Sequence, residues 1–376
     1  MKKGKVINSN YELLRVIAMI FIVIWHVIIH GNLVERTTGA VNFVINAILL
    51  FVIVHVNIFM LLTGYYQSKS KFKLKKLIQL ILEIWFYNFT INTILYFTGL
   101  IEYSKFEYIL KASFFDYTSY WYVQCYLIIY LLSPFLNKFI NECDRIQLKK
   151  LIFVLIGCFS FIPFLTGNLT YNTNGFNVLQ YIMLYFVGAY IRKYDLNMKF
   201  LCKFNVTQKR LIFILTFMLS WLINLMMNYF AITLNIMDSS VLNYFSQAIS
   251  AFKYYYSNPL VIIQSISLFF LFGTLSFSNK FINKLGGLMF GIYLVHESYG
   301  LKIKLYKWLG IYSETLIKSK FIFPKMTRAI LVIFLASLLI EILREIFFKV
   351  LYKMKLLKNL ENKFLSFVYN ILEVKS

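Results

Sequence analysis

Runs of about twenty apolar residues recur along this chain, close to the length a helix needs to cross a bilayer. Ten candidate spans are read at 12–30, 44–66, 77–97, 120–137, 150–167, 177–192, 210–230, 259–277, 286–302 and 328–349. Composition agrees: the 376 residues are 60% hydrophobic, where soluble domains run about 45–50% apolar. The expected fold is an all-α integral membrane protein of about ten transmembrane helices in one bundle. An even number of spans puts both termini on one side. The inner loops and tails then hold most of the Lys and Arg, so that side is cytoplasmic. Inner basic blocks include 68–76 and 192–210, while the loop at 168–176 has no charge and reads as outer. The loop at 303–327 breaks the pattern, with Lys304, Lys307, Lys318, Lys320 and Lys325 on the outer side. Either it folds back along the membrane surface or the ninth span is misplaced. Residues 1–349 form one membrane domain, and 350–376 read as a basic amphipathic tail on the inner leaflet.

The net charge of +23 sits in short blocks between apolar runs. That is the pattern of loops facing an anionic leaflet, and no nucleic-acid partner is expected. Cys125, Cys143, Cys158 and Cys202 show no CxxC spacing, so neither a disulfide framework nor a zinc site is indicated. The basic N-terminus superficially resembles a signal peptide. No small-residue cleavage site follows it, and it reads as a retained first span.

That first span, YELLRVIAMIFIVIWHVIIHG at 11–31, carries Glu12, Arg15, His26 and His30. A charged group in hydrocarbon costs at least ~2.5 kcal/mol, so it needs a reason to be there. At ~100° per residue, Arg15 and His26 lie within about 20° of one another on the helix face, roughly 16 Å apart along its axis. His30, four residues on, shares the stripe. The ordinary alternative is a packed helix with a buried histidine bonded to a backbone carbonyl.

The chain has four histidines, His26, His30, His55 and His296, all within or at the edge of spans. Neutral imidazole is well suited to take and return a proton near neutral pH. His55 reads as a buried, satisfied histidine. His296 has Glu297 beside it, but adjacent helical residues point about 100° apart, so Glu297 serves another group. His26 and His30 have the spacing of paired metal ligands, yet Val27 stands where a HExxH motif needs glutamate, and no metal is expected. There is no GxSxG elbow, P-loop or GxGxxG, so hydrolase and nucleotide-driven readings have no motif behind them.

Arg15 and His26 in ELLRVIAMIFIVIWHVIIHG, with NIFMLLTGYY at 57–66, WYVQCYLIIYLLSPFL at 121–136 and FGIYLVHES at 290–298, resemble the acyltransferase 3 family of membrane acyltransferases. Thr63 departs mildly from a commoner serine. The resemblance covers nearly the whole chain. It implies a multi-pass enzyme of the bacterial cell membrane that moves an acyl group, usually acetyl from acetyl-CoA, to hydroxyls of surface polysaccharide or of lipid-linked glycan. It further implies that Arg15 and His26 are the essential pair. Arg15 suits the donor's phosphates and His26 the hydroxyl proton, or a brief acyl attachment. His296, Glu297, Glu12 and His30 are supporting candidates. Trp121 and Tyr122 either line the acceptor path or are ordinary interface aromatics. A separate extracytoplasmic partner is compatible with this reading. The rival class is a non-catalytic protein of surface-glycan export, a flippase or a polymerase partner.

Overall fold

The computed structural model describes residues 8–113, 120–166, 175–196, 201–234, 254–312, 316 and 321–355, with scattered positions between 358 and 366. The uncharged loop expected at 168–176 and the basic tail at 350–376 lie largely outside the described residues. Every regular element among the described residues is helical. The helices are α1 (Asn10–His30), α2 (Leu33–Arg36), α3 (Gly39–Val52), α4 (His55–Gln67), α5 (Leu74–Phe97), α6 (Lys105–Ala112), α7 (Trp121–Glu142) and α8 (Arg145–Ile156). After a π-helical turn at Gly157–Phe161 come α9 (Ile162–Thr166), α10 (Val178–Lys193), α11 (Val206–Leu234), α12 (Pro259–Gly273), α13 (Lys280–Gly287), α14 (Met289–His296), α15 (Tyr299–Trp308) and α16 (Ile322–Lys353).

Among the described residues, six segments are long and apolar enough to cross a membrane: Asn10–His30, Gly39–Gln67, Leu74–Phe97, Trp121–Glu142, Arg145–Thr166 and Val206–Phe230. The protein is therefore an all-helical membrane protein. The remaining expected spans take other forms. α10 has 16 residues and α12 has 15, while α16 runs for 32 and carries charge along its length. The ninth span, expected as one helix over 286–302, is instead the 8-residue α14 and the 10-residue α15, with Ser298 extended between them (φ −54, ψ 130). The break brings together two charges that a continuous helix would hold apart. Glu297 pairs with Lys302 across 3.4 Å, and an uninterrupted helix would turn residues five apart about 140° away from each other. Lys304 and Lys307 consequently fall on the helix that follows the break.

The chain divides into two compact units, the first Met1–Lys71 with Leu131–Gly287, the second Phe72–Tyr130 with Leu288–Ser376. In the first unit α4 and α10 cross at two glycines. A Cβ on Gly188 would stand 2.9 Å from the Tyr65 nitrogen, and one on Gly64 would stand 2.8 Å from the Tyr185 Cα. Small residues at a crossing let two backbones approach closely in a membrane, where packing rather than water drives association.

The interruption between α3 and α4 frees carbonyls in an apolar setting, and polar side chains meet them. Gln264 donates Nε2 to Leu50 O (3.2 Å) and Phe51 O (3.3 Å), and His55 Nδ1 bonds Val52 O at 2.7 Å. The 254–258 turn is pinned in the same way, because Tyr256 O accepts from Asn57 (2.9 Å) and Gln180 (3.0 Å). Non-helical backbone at membrane depth persists only where such groups are satisfied by protein.

Side-chain contacts also show which helix ends share a side of this unit. Asn10, at the start of α1, donates to Phe272 O near the end of α12 (3.0 Å). Arg210, near the start of α11, donates to Thr274 just past α12 (3.1 Å). Arg192, ending α10, donates to Tyr65, ending α4 (2.9 Å). Basic residues thus gather at one end of the unit.

In the second unit, α5, α14 and α16 pack together around Glu341, which is 1% exposed. A Cβ on Gly291 of α14 would lie 2.7 Å from the Glu341 Cγ, so glycine there leaves room for the carboxylate.

Candidate functional site

Helix α1 carries four of the sequence-predicted residues. Arg15 Nη1 bonds Glu12 Oε2 at 2.5 Å, one turn away, with the side chains 27% and 17% exposed. The pairing lowers the cost of holding either charge at the edge of an apolar helix. Glu12 in turn rests against Gly286 of α13, where a Cβ would lie 3.0 Å from the Glu12 Cβ. Three to four turns beyond Arg15, half-buried His26 and His30 meet with ring centroids 5.2 Å apart. Arg15 and Glu12 therefore form one polar end of the helix, and His26 with His30 form a second, deeper station.

Around Arg15 the first unit assembles groups from four helices, α1, α4, α10 and α12. The Tyr66 ring lies 6.0 Å from the Arg15 guanidinium carbon. Tyr65 meets Tyr66 edge to face at 5.3 Å, and Tyr11 meets Tyr65 and Tyr66 at 5.0 and 6.2 Å. Tyr11 also stacks on Phe269 at 4.6 Å. From α10, Arg192 donates Nη1 to the Tyr65 hydroxyl at 2.9 Å while its guanidinium carbon sits 4.8 Å from that ring. Two guanidiniums thus flank one pair of tyrosines.

His55 is held on both ring nitrogens. Besides the Val52 carbonyl, its Nε2 bonds the Tyr256 hydroxyl at 3.2 Å, and it is 1% exposed between Trp25 and Tyr256. It closes the interruption in the second span and has no free edge for chemistry.

In the second unit His296 ends α14, fully buried, with Nδ1 bonded to Ile292 O at 2.6 Å. Glu297 caps the helix and turns to Lys302. The Tyr293 ring is 6.1 Å from His296 and 6.1 Å from Tyr122. Tyr120 donates its hydroxyl to Leu294 O at 2.6 Å, and Trp121 meets Tyr122 edge on at 6.3 Å. The start of α7 is therefore fastened to the helix that ends in His296. The structure brings Tyr122 to within one ring of His296 and places Trp121 beside it.

Two groups escaped the sequence reading. One is Arg192, hidden in a basic block that reads as a cytoplasmic loop. The other is a charge cluster between α5 and α16 in the second unit. Arg344 donates Nε to Glu341 Oε2 at 2.8 Å and Nη2 to Glu341 Oε1 at 2.6 Å, and reaches Glu83 Oε1 at 3.2 Å. Tyr87 adds a hydroxyl hydrogen bond to Glu341. The signal for this cluster was present, since Glu83, Glu341 and Arg344 all fall inside expected spans, the same test that singled out Arg15.

An all-helical membrane protein with an ion-paired arginine and a histidine pair on its first span is, as a class, an integral membrane protein that carries polar groups within apolar segments. The model of one family, the acyltransferase domain, matches residues 8–354. The chain belongs to this acyltransferase family, so its activity class is acyl transfer in a membrane setting. No curated protein and no solved structure matches the chain.

Proposed function

We propose that this protein is a membrane O-acyltransferase that moves an acetyl group from cytoplasmic acetyl-CoA to a hydroxyl of a cell-surface or lipid-linked polysaccharide. The observation that carries the reading is α1 itself: within a chain matched to the family over 8–354, one helix holds Arg15 at one end and His26 about three turns deeper. The basic residues gathered at the Arg15 end support the reading in which that end faces the cytoplasm, with both termini on that side of about ten spans. It is the end at which a polyanionic donor arrives.

In the reaction the acceptor oxygen bonds to the acetyl carbonyl carbon and the thioester C–S bond breaks. The hydroxyl proton passes to His26, and the leaving thiolate becomes the CoA thiol on taking up a proton. Arg15 holds donor phosphate, and Glu12 fixes the guanidinium. Trp121 and Tyr122 line the acceptor path, and His296 is a supporting residue of the second unit. No metal takes part in this scheme.

The test compares surface polysaccharide from cells with the intact gene, a deletion and His26→Ala, reading alkali-labile ester by proton NMR. Ester lost in both altered strains, with glycan chain length unchanged, supports the reading. Shortened or absent glycan with normal ester content refutes it.

A further inference from the structure

We propose that Tyr66 and Arg192, with Arg15, form the subsite that grips the adenosine 3′,5′-bisphosphate end of the acyl donor. The proposal rests on the acyl-CoA reading above and adds residues that reading does not supply. The donor's nucleotide end carries a flat base and several phosphates, so a protein that binds it needs an aromatic face and cations that keep their charge.

The first unit provides both at one place. Tyr66 is 38% exposed although its segment is apolar. Tyr65 and Tyr11 meet it edge to face, at interplanar angles of 85° and 89°, and Arg15 lies over the ring at 6.0 Å. The exposed part of the ring is the surface offered to a base. Arg192 is exposed, and a neutral hydroxyl holds it through one nitrogen, with no carboxylate pairing with it among the described residues. Its remaining N–H donors keep their charge for an incoming anion, and a planar fork suits phosphate geometry. Arg15 differs, because Glu12 takes part of its charge. Arg192 is therefore the stronger phosphate ligand of the two, and Arg15 is the one carried on α1 itself.

Geometry connects the subsite to the deeper histidines. Tyr66 bridges the two cations, with Arg15 against its own ring and Arg192 against the adjoining Tyr65 ring. A donor anchored there sends its pantetheine arm along α1 toward His26, roughly 16 Å along the axis from Arg15. Buried Tyr11 and Phe269 brace Tyr65 from behind and keep the platform rigid.

The experiment uses full-length protein in phosphatidylcholine nanodiscs and measures binding of adenosine 3′,5′-bisphosphate, which has no acyl group to transfer. Arg192→Gln should weaken binding about tenfold or more, equivalent to about 1.4 kcal/mol. Tyr66→Ala should weaken it by a similar factor, while Tyr66→Phe, which keeps the ring, stays within about twofold of wild type. Arg192→Lys should restore part of the loss. In turnover, Arg192→Gln should cut the selectivity for acetyl-CoA over acetyl-pantetheine at least about tenfold, because the shorter donor lacks the nucleotide. Monodisperse elution of each variant controls for folding.

Unchanged affinity in Arg192→Gln and Tyr66→Ala overturns the proposal. So does an Arg192 that matters only when anionic phosphatidylglycerol is added, which makes it a lipid anchor. The underlying reading fails separately. If wild type binds the bisphosphate but never releases CoA from acetyl-CoA, the acyl-transfer assignment falls while the subsite stands.

Discussion

Replacing Arg344 with methionine removes the one guanidinium that Glu341 and Glu83 share, and the cost follows from how those carboxylates are held. Glu341 receives two parallel donors from Arg344 at 2.8 and 2.6 Å, and its side chain is 2% exposed. Glu83 sits 3.2 Å from the same nitrogen with 20% exposure. Removing one partner of a buried ion pair costs about 3–5 kcal/mol, because the other charge is left without compensation. Glu83 regains some hydration, so the lower part of that range applies, about 3 kcal/mol. Methionine keeps most of the arginine's volume, which limits the cavity term. Unfolding by SDS titration in mixed micelles should show this loss for Arg344→Met. It should show most of the stability returning when Glu83→Gln and Glu341→Gln are added to the same chain. Since Glu341 packs against Gly291 of the helix ending in His296, acyl transfer should fall and return with stability. A loss below about 1 kcal/mol, the value of an exposed pair, would refute the argument.

Two further outcomes follow from packing in the first unit. Gly188→Leu puts a side chain where even a Cβ stands 2.9 Å from Tyr65 N, so α4 and α10 must separate, costing about 1–3 kcal/mol in thermal unfolding. Bisphosphate affinity should weaken with it, because Arg192 and Tyr65 lie on the two displaced helices; unchanged stability contradicts the close crossing. His55→Leu leaves the Val52 carbonyl and the Tyr256 hydroxyl without the imidazole, a loss of about 1–3 kcal/mol. Its kcat in properly folded protein should stay within about twofold of wild type, and loss of turnover at unchanged stability would give His55 a chemical role.

How far the sequence could be read depended on the length of each signal. Spans such as Asn10–His30 and Trp121–Glu142 were legible because an unbroken apolar run of that length has one outcome in a bilayer. The ninth span misled because hydropathy averages over a window. A break at Glu297–Ser298 costs little in the average but redirects the chain toward Lys302. The interruption at 53–54 was invisible for a related reason: the residues that make it tolerable, Gln264 and Tyr256, are about two hundred positions away. Arg15 and His26 stood out as polar groups within apolar surroundings. Arg192 carried the same charge at a span edge, where basic residues are common, and only its contact with Tyr65 distinguishes it. Glu12 was seen as a second charge on α1, and its pairing with Arg15 follows from the three-residue spacing.

The most direct test of the central claim follows the acetyl group itself. Purified wild-type and His26→Ala protein would be incubated with acetyl-CoA labelled in the acetyl carbon and with the surface-glycan fraction of the producing cell. Label in the glycan would be counted before and after mild alkali. Alkali-labile label is expected with wild type, and a loss of about 10²–10⁴-fold with His26→Ala, the usual contribution of a positioned general base. Wild-type levels of labelled ester from folded His26→Ala protein would contradict the claim.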